Sequence, residues 1–225
     1  MPHARTDYTG EGLLEADLEA TPFRQARAWV DAAVARSQVD AGLVEPLSLS
    51  VATVDADGRP NVRTVLMRFF DPRGPGFVTS VDSAKAHEVS ANPGLAAALT
   101  WPGMFRAIRF RGVAERIEHD EVDDYFRTRP WGSRVSAWAS VQSQPVPSRA
   151  ELEAAYRTYA ARWPDHGHPD DVPVPDSWAG YRVLADEVEF WAGRRDRLHD
   201  RLVFTKVADG SLDDPAAWTL SRRQP

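Results

Sequence analysis

The sequence predicts a mainly β, α+β chain built as an antiparallel β-barrel with flanking helices. Three observations carry that expectation. Leu47, Leu49, Val51 and Thr53 alternate with Ser48, Ser50, Ala52 and Val54, the two-residue period of a strand with one buried face. DADGRP, residues 55–60, contains an Asp-Gly turn signal, and the apolar run VRTVLMRFF follows it, so the pair reads as a hairpin. Helical periodicity is confined to segments that flank or separate such runs.

Taken in order, residues 1–20 are polar and Gly-containing and read as an N-terminal arm able to cover a site, with 21–225 as a single domain. Thr21 before Pro22 is an N-cap followed by a proline at the first helical position, and Phe23, Ala26, Trp29, Val30, Ala33 and Val34 continue at helical spacing to near Arg36. Beyond the hairpin, strands are expected at 76–80, 95–101 and 106–117, with Gly or Pro between several of them. SAKAHEVSANP, residues 83–93, is helical, as is DEVDDYFRTRP from Asp120, whose early acids suit the positive end of a helix dipole. A further helix is expected over 149–163, and DHGHPDDVPVPDSW is a loop. The tail offers strands at YRVL, VEFW, RLVFTKV and WTLSR, with Ala208-Asp209-Gly210 as a turn.

Composition narrows the function. The 225 residues carry 33 acidic and 27 basic side chains, a net charge of −6 that argues against a general nucleic-acid binder. With no cysteine, disulfides, thiolate catalysis and Cys-ligated metals are excluded. MPHARTDYTGEG lacks the apolar core of a signal peptide and no long apolar run occurs, so a cytoplasmic protein without membrane partners is expected. His166 and His168 have no third ligand at telling spacing, and no metal site is expected.

Several groups could do chemistry. Arg63 and Arg68 lie on the second hairpin strand at odd spacing, facing opposite ways if the strand is regular, and Lys85 opens a helix where backbone N–H groups favour an anion. Singly, each reads as a solvated surface charge. In YFRTRPWGSR, Tyr125 and Arg129 share a helix face and Ser133 lies beyond the Pro130 that ends the helix; a phosphate site and an ordinary helix C-cap both fit. WAGRRDRLHDR, residues 191–201, gathers Arg194, Arg195, Arg197, Arg201 and His199. If extended, Arg197, His199 and Arg201 face one way, a repulsive row unless an anion or ion pairs with Asp196 and Asp200 meet it.

Together RTVLMR (63–68), TSVDSAKAHEV (79–89), YFRTRPWGSRVSAWASVQS (125–143) and VEFWAGRRDRLHDR (188–201) resemble, in order, the motifs of the pyridoxine (pyridoxamine) 5′-phosphate oxidase family. The resemblance spans nearly the whole chain and implies a split β-barrel homodimer with FMN at the subunit interface. It implies that Arg63 and Lys85 hold the FMN phosphate, and that Thr64, Val65, Leu66, Met67, Arg68, Val78 and Thr79 line the flavin. Gln142, Ser143, Trp191 and Arg201 would complete the cofactor pocket. It assigns the substrate phosphate to Tyr125, Arg129 and Ser133 beside Arg68, catalysis over the substrate ring to Arg197 and His199, and a covering role to Arg5 and Tyr8. The implied reaction converts pyridoxamine or pyridoxine 5′-phosphate to pyridoxal 5′-phosphate with O2 as acceptor and H2O2 as product. The alternatives are a related oxidase of another small molecule, such as a dihydrophenazine, and a binder without turnover. Arg68 stands where the family usually has Lys, Ala84 where many members have Arg, Val78 for a common Tyr, and Ala107 for a usual Gln.

Overall fold

The computed structural model describes residues 7–225, so Arg5 lies outside the described residues. After helix α1 (Pro22–Ser37) come strands β1 (Ser48–Val54), β2 (Pro60–Leu66), β3 (Phe69–Asp71) and β4 (Gly74–Ser80), helix α2 (Ala84–Ala91), and strands β5 (Gly94–Trp101) and β6 (Arg106–Arg116). Helices α3 (His119–Thr128), α4 (Trp131–Ala139) and α5 (Arg149–Arg162) precede β7 (Trp178–Ala192), β8 (Asp200–Lys206) and β9 (Trp218–Arg222).

Local chemistry sets these elements. Thr21 caps α1 by accepting from the Arg24 N–H at 3.2 Å, and its hydroxyl donates to Asp213 at 2.7 Å, tying the helix start to the C-terminal region. In the β1–β2 hairpin, Asp55 Oδ1 accepts from the N–H groups of Asp57 and Arg59, while Gly58 takes φ 82°, a conformation that favours glycine.

The strands form one antiparallel nine-stranded sheet in the order β2-β1-β5-β6-β7-β4-β3, with β8 and β9 continuing from β7. Curled as a split barrel, it encloses a core that includes Leu49, Val51, Leu99, Ile108, Phe110 and Phe190; Trp29 of α1 meets Phe190 edge-on at 5.4 Å. A second apolar cluster, with Phe126, Val135 and Trp178, lies between α3, α4 and the start of β7.

Five sequence expectations change. VRTVLMRFF is not one strand: the chain breaks after Leu66, Met67 N–H bonds to Leu47 O at 2.9 Å, and Arg68 N–H bonds to Gly76 O at 2.8 Å. Those two residues carry the chain from one edge of the sheet path to the other, closing the barrel and cancelling the face argument for Arg63 and Arg68. YRVL and VEFW belong to one 15-residue strand, because a bulge absorbs the intervening acids: the β6–β7 register shifts between Arg111 and Gly112. A Cβ on Gly112 would stand 2.0 Å from Leu184 O, so only glycine fits that close approach. Pro130 ends α3 but also opens α4, which places Ser133 in the first turn of a helix. The 195–197 segment is a tight turn with Asp196 and Arg197 at φ 57° and 61°, so Arg197, His199 and Arg201 form no extended row. Leu13 of the expected arm is buried in the core, its N–H bonded to Asp200 Oδ2 at 2.9 Å.

β7 ties the two halves of the sheet together. Its first residues, Trp178 to Arg182, pair with β4, its last, Glu187 to Ala192, pair with β8, and β6 runs along both. Among the described residues no helix is long and apolar enough to cross a membrane, and no group of three or more His, Cys, Asp or Glu could hold a metal ion.

Candidate functional site

At the β4 end of β7 lies a cleft of about 640 Å³, a size suited to a cofactor with its substrate. Thr64, Val65 and Leu66 reach it from β2, Arg68 from the barrel-closing pair, and Val78 and Thr79 from β4. Tyr125, Arg129 and Ser133 reach it from α3 and α4, and Gln142 from the loop beyond. Residues the sequence reading missed line it too: Thr128, Ser136, Ala137, Ser140, Ser177 and Trp178. Ser133, Ser136, Ala137 and Ser140 recur at helical spacing, a signal hidden by the assumption that Pro130 only terminates.

The cleft holds cations that have no carboxylate partner among the described residues. Arg129 stacks its guanidinium 4.6 Å from the Trp178 ring, and among the described residues neither its buried Nη1 nor the buried Trp178 Nε1 has a hydrogen-bond partner. Burial, with the neighbouring Arg68 adding to it, pushes the Arg129 pKa down. Arg68 is exposed and makes no side-chain hydrogen bond among the described residues. A desolvated guanidinium beside a second one is a costly arrangement that an anion relieves.

Lys85 is buried, contrary to the expectation of a solvated charge. Its Nζ donates to Thr79 Oγ1 at 3.0 Å and Gln142 Oε1 at 3.2 Å, both neutral acceptors. Burial first, then the nearby Arg63, lowers its pKa from 10.5 to about 8, against an opposing pull from Glu88. Gln142 Oε1 also accepts from Thr79 Oγ1 and Ser80 N–H, which turns its amide nitrogen away as a donor. Arg63 is engaged elsewhere: it shares the core-facing side of β2 with Val51 of β1 and bonds Glu88 Oε2 at 2.6 Å.

The remaining expected residues do not line this cleft. Met67 is buried in the core, and Ser143 is exposed with φ 71°. Trp191, His199 and Tyr8 meet at the other end of β7: the Trp191 and His199 rings are 4.8 Å apart, and Tyr8 packs edge-on against both. His199 Nδ1 accepts from the Arg194 N–H at 3.1 Å, which puts the ring proton on Nε2. Ala107 pairs with Trp191 across β6–β7, so the small residue lies in this second cluster.

Two of the four arginines of the cationic knot are neutralised there. Arg194 bonds buried Asp200 at 2.6 Å, and Arg201 grips buried Glu189 through Nε at 3.1 Å and Nη2 at 2.7 Å. That bidentate pair raises the Arg201 pKa. Arg197 is exposed and unpaired among the described residues, at the tip of its left-handed turn. Trp178 and Trp191 are 13 positions apart on β7, roughly 40 Å of strand contour, so one chain does not bring the two clusters together.

Comparison with known proteins adds family and fold. The family model described as pyridoxamine 5′-phosphate oxidase matches residues 35–162, and that of the pyridoxine 5′-phosphate oxidase C-terminal dimerisation region matches 178–225. The pyridoxine/pyridoxamine 5′-phosphate oxidase of Kineococcus radiotolerans is 48% identical over 223 residues, covering 98% of this chain and 97% of its own. Its counterpart from Streptomyces avermitilis is 43% identical over 221 residues, covering 98% and 94%. Among solved structures, PhzG from Burkholderia lata in complex with tetrahydrophenazine-1-carboxylic acid superposes with a TM-score of 0.82 at 27% identity, over 96% of this chain and 100% of that one.

Proposed function

The chain belongs to the pyridoxamine 5′-phosphate oxidase family, and from that membership we propose an FMN-dependent oxidase that turns pyridoxamine or pyridoxine 5′-phosphate into pyridoxal 5′-phosphate. O2 is the electron acceptor and H2O2 the product. The observation that carries the substrate class is the pair of guanidiniums without counter-ions, Arg68 and Arg129, facing Tyr125 and Ser133 in one cleft. The donor set fits both groups: those four residues take the substrate phosphate, while buried Lys85, bonded only to neutral acceptors, and Arg63 take the phosphate of FMN. FMN supplies the two-electron acceptor that no side chain can provide.

The protein's own residues supply position and field. Thr64, Val65, Leu66, Val78 and Thr79 wall the flavin, Met67 fixes their backbone from the core, and Gln142 offers its amide nitrogen, with Ser143 beside it. Domain 21–225 works as a homodimer, as the dimerisation region at 178–225 supports, and the distance along β7 is bridged by the second copy. The partner's Trp191, Arg197 and His199 then cover the cleft, and the partner's Arg201 keeps that cap in register through Glu189. Arg197 meets the anionic end of the reactants, His199 donates from Nε2, and Arg5 with Tyr8 of the arm shields the site from water. The compartment is the cytoplasm, without nucleic-acid or membrane partners.

The test is anaerobic. Pyridoxamine 5′-phosphate added to FMN-loaded protein is expected to bleach the oxidised-flavin absorbance near ~450 nm, with recovery on admitting air. Flavin that stays oxidised overturns the vitamer assignment. The second reading, oxidation of a reduced tricyclic carboxylic acid, draws on the likeness to PhzG, since a carboxylate also suits two arginines. Bleaching by a dihydrophenazine carboxylic acid, and not by the phosphorylated vitamer, would select it.

A further inference from the structure

Behind the cleft wall lies a buried carboxylate, Glu88, to which the proposed reaction gives no role. Glu88 of α2 is buried, and its two oxygens take bonds from three side chains: Thr53, Asn61 at 2.9 Å and Arg63 at 2.6 Å. Burial would raise its pKa, but those bonds outweigh burial and hold the carboxyl below its usual range. The Arg63 side chain is 18% exposed and that of Glu88 10%, so solvent screens the pair little. Lys85 precedes Glu88 by three residues on the same helix and feels both charges. Two cations and one carboxylate therefore share the place proposed for the cofactor phosphate.

We propose that Glu88 is an internal counter-ion: it occupies Arg63 in the flavin-free protein and yields that guanidinium to the arriving phosphate, so this carboxylate sets the affinity for FMN. The inference rests on the assignment of FMN to this cleft. A phosphate monoester at neutral pH carries nearly two negative charges, which Arg63 and Lys85 alone would match. With Glu88 ionised, the three side chains sum to a single positive charge, and the phosphate must compete with a carboxylate already in place. The same contact steadies the flavin-free site, because Arg63 without Glu88 would be a half-buried cation with only neutral acceptors, Thr53 and the Val51 carbonyl. Stability without flavin and affinity for flavin are thus set against each other by one side chain.

Glu88→Gln tests this, since the amide keeps the shape and retains partners in Thr53 and Arg63 while losing the charge. Flavin fluorescence quenching would measure the dissociation constants of FMN and riboflavin, and thermal denaturation the stability of flavin-free protein. The variant is expected to bind FMN about tenfold more tightly, the worth of one charge-assisted hydrogen bond, to bind riboflavin unchanged because riboflavin has no phosphate, and to melt at a lower temperature without flavin. Should it not fold, Glu88→Asp, one methylene shorter, retracts the carboxylate and carries the same pattern at reduced size. Wild-type protein that binds FMN while the variants bind it equally or more weakly overturns the counter-ion and leaves the cofactor reading standing. Equal tightening for riboflavin also overturns it. Wild-type protein that binds neither flavin overturns both.

Discussion

The two ends of β7 use the same side chain in opposite ways. At the Trp191 end, Arg194 and Arg201 each meet a buried carboxylate, Asp200 and Glu189, and are spent on holding the loop and strand in place. At the Trp178 end, Arg129 is partly buried with an unpartnered Nη1 and no carboxylate, and Arg68 stands beside it. A count of arginines would rank the first end as the anion site. The counter-ions reverse that ranking, leaving only exposed Arg195 and Arg197, in the 195–197 turn, as arginines of that end without a carboxylate partner among the described residues.

The sharpest way to break this comparison is to separate the two ends genetically. Arg129→Ala and Arg197→Ala are each expected to lose on the order of a hundredfold in kcat/KM, as when one partner of a charged contact is removed. If each site takes its cleft from one protomer and its cap from the other, a mixed dimer of the two variants holds one intact site and one doubly broken site. Random reassociation should then restore roughly a quarter of wild-type activity per protomer. Mixtures that stay at the level of the single variants would show that both ends serve one chain.

Those ends were unequally legible in the sequence. Alternation in β1, the Asp-Gly hairpin and the Thr21-Pro22 helix start are local patterns, and the structure keeps all three. Tyr125 and Arg129, one helical turn apart, likewise converge as their spacing implies. What stayed hidden depends on partners far along the chain. Glu189 lies 12 residues from Arg201, Glu88 25 from Arg63, and Leu13 187 from Asp200, and no periodicity links such pairs. The break at Met67 and Arg68 is equally non-local, because an apolar run continues through it and only barrel closure requires it. The turn at 195–197 is invisible in the sequence because two non-glycine residues there adopt positive φ, which residue type does not announce.

A smaller effect sharpens the view that Arg129 is kept charged for a ligand. Arg129→Met retains the apolar stem over Phe126 and Trp178 and removes the unpartnered charge. It is expected to raise the stability of flavin-free protein by about 1 kcal/mol, the order of a desolvation penalty relieved, while KM for a phosphorylated substrate rises at least about tenfold. Thermal denaturation and steady-state kinetics on one preparation read both. A variant that loses stability would mean that Arg129 is structural, like Arg194 and Arg201.

The smallest effect is a pH dependence seated in Lys85. Its folded pKa of about 8 lies below the ordinary 10.5 because burial disfavours the charged form. Between those values the unfolded chain carries the extra proton, so the Lys85 contribution to stability rises with pH across that window and is least favourable below about 8. An anionic ligand reverses the preference, since it stabilises the ammonium and draws its pKa back up. FMN affinity should therefore hold steady below pH 8 and fall as pH climbs through it, with a limiting slope of about tenfold per pH unit. Lys85→Met removes the ammonium and should flatten this dependence while weakening binding at pH 7. Titrations by flavin fluorescence from pH 6 to 10 would show it, and a wild-type profile as flat as that of the variant would place the Lys85 ammonium outside the cofactor phosphate site, leaving Arg63 as the cation that answers FMN.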